Sequence, residues 1–167
     1  MRVELTEAQQ RDARLAATAA GIEAKVYSAR AAVFDPPDRQ RTDTLAYGAE
    51  IAASVATGIA WRGYQPMRRR HGGDLVDGTE VRHTERADGG LAIRASDYDE
   101  RPYVLVTGSD GVTYDVHGWL YAAEAKRPAY YRDDWAYPAW CAPQCDLRPI
   151  AELAKGQNNA PFVDATT

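Results

Sequence analysis

The chain has 167 residues, 45% hydrophobic and 26% charged, a composition that suits one globular domain with a real core and excludes a disordered or fibrous chain. Its formal net charge of −4 gives no global attraction for nucleic acid, so any binding to an acidic polymer has to come from a local basic patch. Two cysteines, Cys141 and Cys145, are too few for a disulfide scaffold or a four-cysteine metal site, and the start Met1-Arg2-Val3-Glu4-Leu5 lacks the apolar core of a signal peptide, so a cytoplasmic protein is expected.

Residues 6 to about 34 are predicted as a helix: Thr6 and Glu7 suit its N-terminus, and Leu15, Ile22, Val26 and Val33 recur at roughly helical spacing. Asp35-Pro36-Pro37-Asp38 ends it, because proline lacks the N–H and disfavours helix in the residue before it. A second helix is predicted to start near Thr42-Asp43 and to bury a stripe of Leu45, Gly48, Ala52, Val55, Ala56 and Ile59. Glu50 is the only charge in residues 45–61, yet the segment is neither long nor apolar enough to span a membrane. A basic connector follows, with Arg62, Arg68, Arg69 and Arg70.

From Gly72 the period becomes strand-like. Leu75-Val76 and residues 79–84 and 91–94 are short strand candidates separated by Asp-Gly or Asp-Gly-Gly turns. Tyr103-Val104-Leu105-Val106 is apolar throughout, as a central strand is, and Ser109-Asp110-Gly111 turns the chain into another strand over 112–120. One or two helical turns over 121–126, an aromatic loop over 130–140 and a short helix over 150–155 complete the chain. Two helices followed by a run of strands predict an α/β fold, helices flanking a mixed, hairpin-rich sheet, in a single domain over 1–156 with residues 157–167 as a flexible tail.

The chemistry concentrates in Gly72-Gly73-Asp74-Leu75-Val76-Asp77-Gly78-Thr79-Glu80-Val81-Arg82-His83-Thr84. Strand alternation puts Glu80 and Arg82 on one face and Val81 on the other. A two-residue loop at Asp77-Gly78 leaves Asp74 on the wrong face, whereas a three-residue loop, Val76-Asp77-Gly78, sets Asp74 opposite Glu80 and wants a left-handed glycine at Gly78. Two carboxylates so facing repel unless a positive group sits between them, and Mg²⁺ or Mn²⁺ is a natural occupant.

Here the sequence resembles the PD-(D/E)XK nuclease superfamily, with an acid at one strand, Glu-x-Lys on the next and often an acid on a preceding helix. Asp74 matches the first acid, Glu80 the second and Glu50 the helix acid. The stretch 91–119, with its Val-Leu-Val strand and Gly118-Trp119, is similar to small phage-type members. The resemblance covers roughly residues 45–126 and implies a restriction-endonuclease-like core, Mg²⁺ or Mn²⁺ held by Asp74, Glu80, Glu50 and Val81, and DNA as substrate. Arg82 stands at the lysine position. Arginine supplies a planar positive fork suited to phosphate, but with a pKa above ~12 it is no general base.

Arg62, Arg68, Arg69 and Arg70 lead into this segment and are candidates for the phosphate backbone, though such a run is more often a solvated connector. Tyr130, Tyr131, Trp135, Tyr137 and Trp140 read first as a minor core or a contact in a homo-oligomer, and second as a platform for exposed bases. Two further readings stay open: a non-enzymatic nucleic-acid-binding or protein-interaction module on the same fold, and an oligomeric phage structural protein.

Overall fold

The computed structural model of the chain describes residues 1–27, 38–66 and 72–156. It begins with a strand that the sequence pattern does not reveal, β1 (Arg2–Glu4), three residues whose single buried side chain, Val3, is too little pattern to recognise. Helix α1 (Glu7–Tyr27) is closed at its start by a capping box: the Gln9 N–H donates to Thr6 Oγ1 at 3.3 Å and the Thr6 N–H to Gln9 Oε1 at 2.9 Å. Its buried face is Ala13, Ala16, Ala17, Ala20 and Ala24, whereas Leu15 and Ile22 are 61% and 60% exposed. Leu15 and Ile22 of the expected stripe therefore face outward, because close packing of α1 on α2 uses the small side chains. The predicted continuation over 28–34, the Pro36-Pro37 stop and the tail over 157–167 lie outside the described residues.

Helix α2 (Arg39–Thr57) starts earlier than expected and ends on Gly58, left-handed at φ +74, whose N–H donates to Ser54 O. Its buried face is Leu45, Gly48, Ala49, Ile51, Ala52, Ala53 and Thr57, so the stripe is rotated from the predicted one and Val55 is exposed. No helix among the described residues is long and apolar enough to cross a membrane.

The further strands are β2 (Glu80–Thr84), β3 (Leu91–Ile93), β4 (Pro102–Thr107), β5 (Thr113–Tyr121), β6 (Tyr131–Arg132) and β7 (Ala139–Ala142); the further helices are α3 (Ala122–Ala125) and α4 (Ile150–Gly156), with short 3-10 turns at Pro128–Tyr130 and Gln144–Asp146. They form a mixed sheet ordered β1-β5-β4-β2 and a small sheet ordered β3-β7-β6. The fold is thus mixed α/β. β4 is central, as expected, with Val104 and Val106 in the core beneath α2, and Tyr103 and Leu105 in a second core shared with β3, β7 and α3. Burial on both faces explains its unbroken apolar run.

Fewer hairpins form than the turns suggested. Ser109-Asp110-Gly111 does join antiparallel β4 and β5, but β2 pairs with β4 in parallel, Glu80 opposite Tyr103 and Arg82 opposite Leu105. Asp88-Gly89-Gly90 closes no hairpin: β3 leaves for the second sheet and pairs with β7. The expected aromatic loop over 130–140 is partly strand, since β6 pairs with β7 inside it. Leu75 makes an isolated antiparallel bridge with Trp61 and not a strand beside β2.

Candidate functional site

Among the described residues β2 is the last strand of its sheet, with β4 on one side only. Val81 packs into the core beneath α2, so Glu80 and Arg82 point to the other face, as their alternation predicts. There Arg101 NH1 donates to Glu80 Oε1 at 2.6 Å, both side chains 18% exposed. Arg82 lies 3.8 Å from Glu80 Oε2, donates to Asp97 Oδ2 at 2.9 Å, and sets its guanidinium 4.9 Å from the centre of the Tyr103 ring. Asp97 Oδ2 also accepts the Arg94 N–H at 2.8 Å, which fixes the carboxylate that fixes Arg82. Burial, then the charges of Asp97 and Glu80, push the Tyr103 hydroxyl up to about 12, so the ring stays neutral beneath the guanidinium.

Asp97 and Arg101 are site residues that no sequence motif marks. They sit in the charged run Ser96-Asp97-Tyr98-Asp99-Glu100-Arg101 just before β4, and only the parallel register of β2 on β4 brings that run to Glu80.

Asp74 is positioned by a turn of the expected kind but a different pairing. The Leu75 and Asp74 N–H groups both donate to Thr79 O, at 3.0 and 2.9 Å, and Gly78 is left-handed at φ +93. Asp77 is a turn residue, accepting from the Thr79 N–H at 3.0 Å and from Thr79 Oγ1 at 2.7 Å. Gly73, at φ +81, lies so close to the turn that a Cβ there would come within 2.4 Å of Gly78 O. The Asp74 carboxylate accepts the Val81 N–H at 2.8 Å. It therefore covers the outer edge of β2, toward which the Val81 carbonyl also points, since one strand residue turns its N–H and C=O the same way. Asp74 thus sits at the edge of the strand and not face to face with Glu80 across a hairpin.

On the helix side the Trp61 Nε1–H donates to Glu50 Oε2 at 2.7 Å. Arg62, expected on a phosphate path, is used within the protein: its guanidinium donates to Val76 O at 2.9 Å and its N–H to Asp74 O at 3.0 Å, clamping the turn. Arg68, Arg69 and Arg70 lie outside the described residues.

Glu50, Asp74, Glu80, Val81 and Arg82 all line one cleft of about 380 Å³, joined by the Arg39–Asp43 ion pair on the α2 side. Three carboxylates and a main-chain carbonyl are hard oxygen donors, which in chemical kind fit Mg²⁺ or Mn²⁺. Among the described residues, however, no three acidic, histidine or cysteine side chains stand close enough together to hold a metal ion as they are. The positive charge expected between the carboxylates is supplied at Glu80 by Arg101 and Arg82.

The aromatic segment divides. Tyr130 and Trp140 pack against the second core, and Tyr131 rests on Trp140 with ring centres 5.2 Å apart, which is the minor-core reading. Trp135 and Tyr137 are 41% and 86% exposed. Cys141 is half-buried and Cys145 exposed.

Compared with protein-family models, with curated proteins and with solved structures, the chain matches none.

Proposed function

We propose that the cleft between α2 and the outer edge of β2 binds DNA and hydrolyses its phosphodiester bonds, as a PD-(D/E)XK-type nuclease on a restriction-endonuclease-like core. The observation that carries the reading is that one cleft around the edge of β2 is lined by Glu50 from the α2 side, by Asp74 at the strand edge, and by Glu80 and Arg82, whose side chains lie on the face of β2 away from α2. Asp74 and Glu80, with Glu50 and the Val81 carbonyl, are the groups that would hold Mg²⁺ or Mn²⁺, which when bound polarises a phosphodiester and acidifies water. Arg82 is the fixed positive charge for the phosphate. Asp97 and Tyr103 hold its fork in place, so little reorganisation is needed as charge develops on the phosphate oxygens. Glu50 is held by the Trp61 indole against α2 at the opposite wall.

A second reading, a nucleic-acid-binding module without catalysis, is favoured by Arg101: its guanidinium already neutralises Glu80. Cleavage of single-strand, duplex and branched DNA in Mn²⁺ separates the two. The nuclease reading expects metal-dependent cleavage by the parent protein and its loss in Asp74→Asn, which keeps an acceptor for the Val81 N–H but removes the charge. Arg82→Ala is expected to slow cleavage by about 10²–10³-fold, the effect of removing one pre-organised donor. Binding without cleavage on every substrate selects the module, and cleavage that survives both substitutions puts the catalytic centre elsewhere.

A further inference from the structure

Arg82 lines not one cleft but two. On the far side of β2 a second groove of about 580 Å³ runs between the strand and the small β3-β7-β6 sheet, and Arg82 is the residue the two have in common. We infer that this second groove is the track for a single strand of nucleic acid, delivering it past Arg82 to the carboxylate cleft. The inference deepens the proposed function and rests on it for the direction of the strand, but its binding chemistry stands on separate residues.

Charge is the first argument. The groove is lined by Arg82, Arg86, Arg94 and Arg132 against Asp88 and Asp134, a positive surface on a chain of net charge −4. Arg86 is held by Asp88 at 3.2 Å with both side chains 76% exposed, a pair that water and salt weaken readily. Arg94 and Arg132 are exposed and make no ion pair among the described residues. Guanidiniums without a carboxylate beside a groove are suited to phosphate oxygens, which they meet with a planar fork.

The second argument is Trp135. Its indole stands 41% exposed on the connection between β6 and β7 and lines the same groove, whereas Trp140 of the same hairpin is packed against the core. An exposed indole among arginines offers a base a face to stack on. Only an unpaired strand can use it, because in a duplex the base faces are stacked on one another. Phosphate donors with a stacking face therefore favour single-stranded nucleic acid over duplex, and over an acidic peptide, which needs no aromatic face.

The test is fluorescence anisotropy of the full chain with a labelled oligothymidylate, the duplex of the same length and a labelled polyglutamate, all in EDTA so that nothing is cleaved. The oligothymidylate is expected to bind tightest. Trp135→Ala is expected to weaken it about tenfold, with Trp135→Phe restoring most of the affinity. The double substitution Arg94→Ala, Arg132→Ala is expected to reduce the slope of log affinity against log salt by ~1.4, about 0.7 for each phosphate that is no longer neutralised. All three side chains are exposed, and circular dichroism checks that the variants remain folded. Equal binding of duplex or polyglutamate, or variants that bind the oligothymidylate like the parent, would overturn the inference. If the parent cleaves no DNA but shows this pattern, the groove stands and hydrolysis falls; if it cleaves DNA and the groove variants are indifferent in binding, the reverse holds.

Discussion

Glu80 meets Arg101 at 2.6 Å and Arg82 at 3.8 Å, so its carboxylate is compensated by protein before any cation arrives. A metal ion at Glu80 has to compete with Arg101, which gives that residue a diagnostic value no other has. Arg101→Gln removes the competing charge and leaves a neutral donor of shorter reach. The partly buried Glu80 carboxylate then loses its closest partner, and the protein should lose about 1–3 kcal/mol of stability, measured by urea unfolding. If Glu80 is a metal ligand, Mn²⁺ affinity followed by electron paramagnetic resonance should rise in the same variant. Lower stability with Mn²⁺ affinity no greater than the parent's would assign Glu80 to a structural ion-pair network.

At the scale of elements, the seating of α2 on the sheet determines where Glu50 stands relative to β2, and Gly48 is the contact that sets it. A Cβ at Gly48 would lie 2.1 Å from the Tyr114 hydroxyl of β5, which donates to Leu45 O at 3.2 Å one turn earlier in the helix. Tyr114 is fully buried and cannot swing away. Gly48→Ala should therefore destabilise the fold by about 1–3 kcal/mol through overpacking, against the ordinary gain in helix propensity from Gly to Ala. An Ala variant as stable as the parent in urea would mean that α2 does not approach β5 this closely. The same logic makes Gly73 and Gly78 the glycines that matter to Asp74, one by close approach and one by its positive φ.

Across the whole molecule three layers meet on β4: the helices, the mixed sheet and the small sheet. Two histidines sit near the same end of that strand. His83 bonds to Gly108 O through Nε2 at 2.7 Å, and His117 to Thr107 Oγ1 at 2.8 Å beside the β-bulge between β4 and β5. The carbonyl of Gly108 can only accept, so neutral His83 carries its proton on Nε2. Burial is the leading cause that lowers both histidines below 6.5. A lowered folded value means the unfolded chain takes up protons first as pH falls. The stabilising contribution is present above 6.5 and is lost progressively as pH drops through the folded values. Urea midpoints should therefore fall between neutral pH and about pH 5, and the doubly substituted His83→Gln, His117→Gln protein should show a flatter dependence. An equally steep decline in that variant would assign the effect to carboxylates.

How much of this was legible in the sequence depended on whether a feature was local. The run Tyr103-Val104-Leu105-Val106 announced a central strand because burial on both faces leaves no alternation to read. The Asp77-Gly78 turn was legible because Gly78 has a conformation that other residues adopt poorly. Glu80-Val81-Arg82 alternated as expected because the strand's own geometry dictates it. Three things only the tertiary structure decided. The inward face of α1 is alanine because a neighbouring helix approaches closely, and nothing within α1 records that distance. The partner of β2 is β4 in parallel and not a hairpin neighbour, since strand pairing is chosen among all strands that share a core. Arg101 and Asp97 reach Glu80 and Arg82 only through that register. The charge balance of the candidate site, on which cation binding turns, is therefore a property of the assembled sheet, whereas Asp74, Glu80 and Arg82 were already visible in thirteen consecutive positions, 72–84.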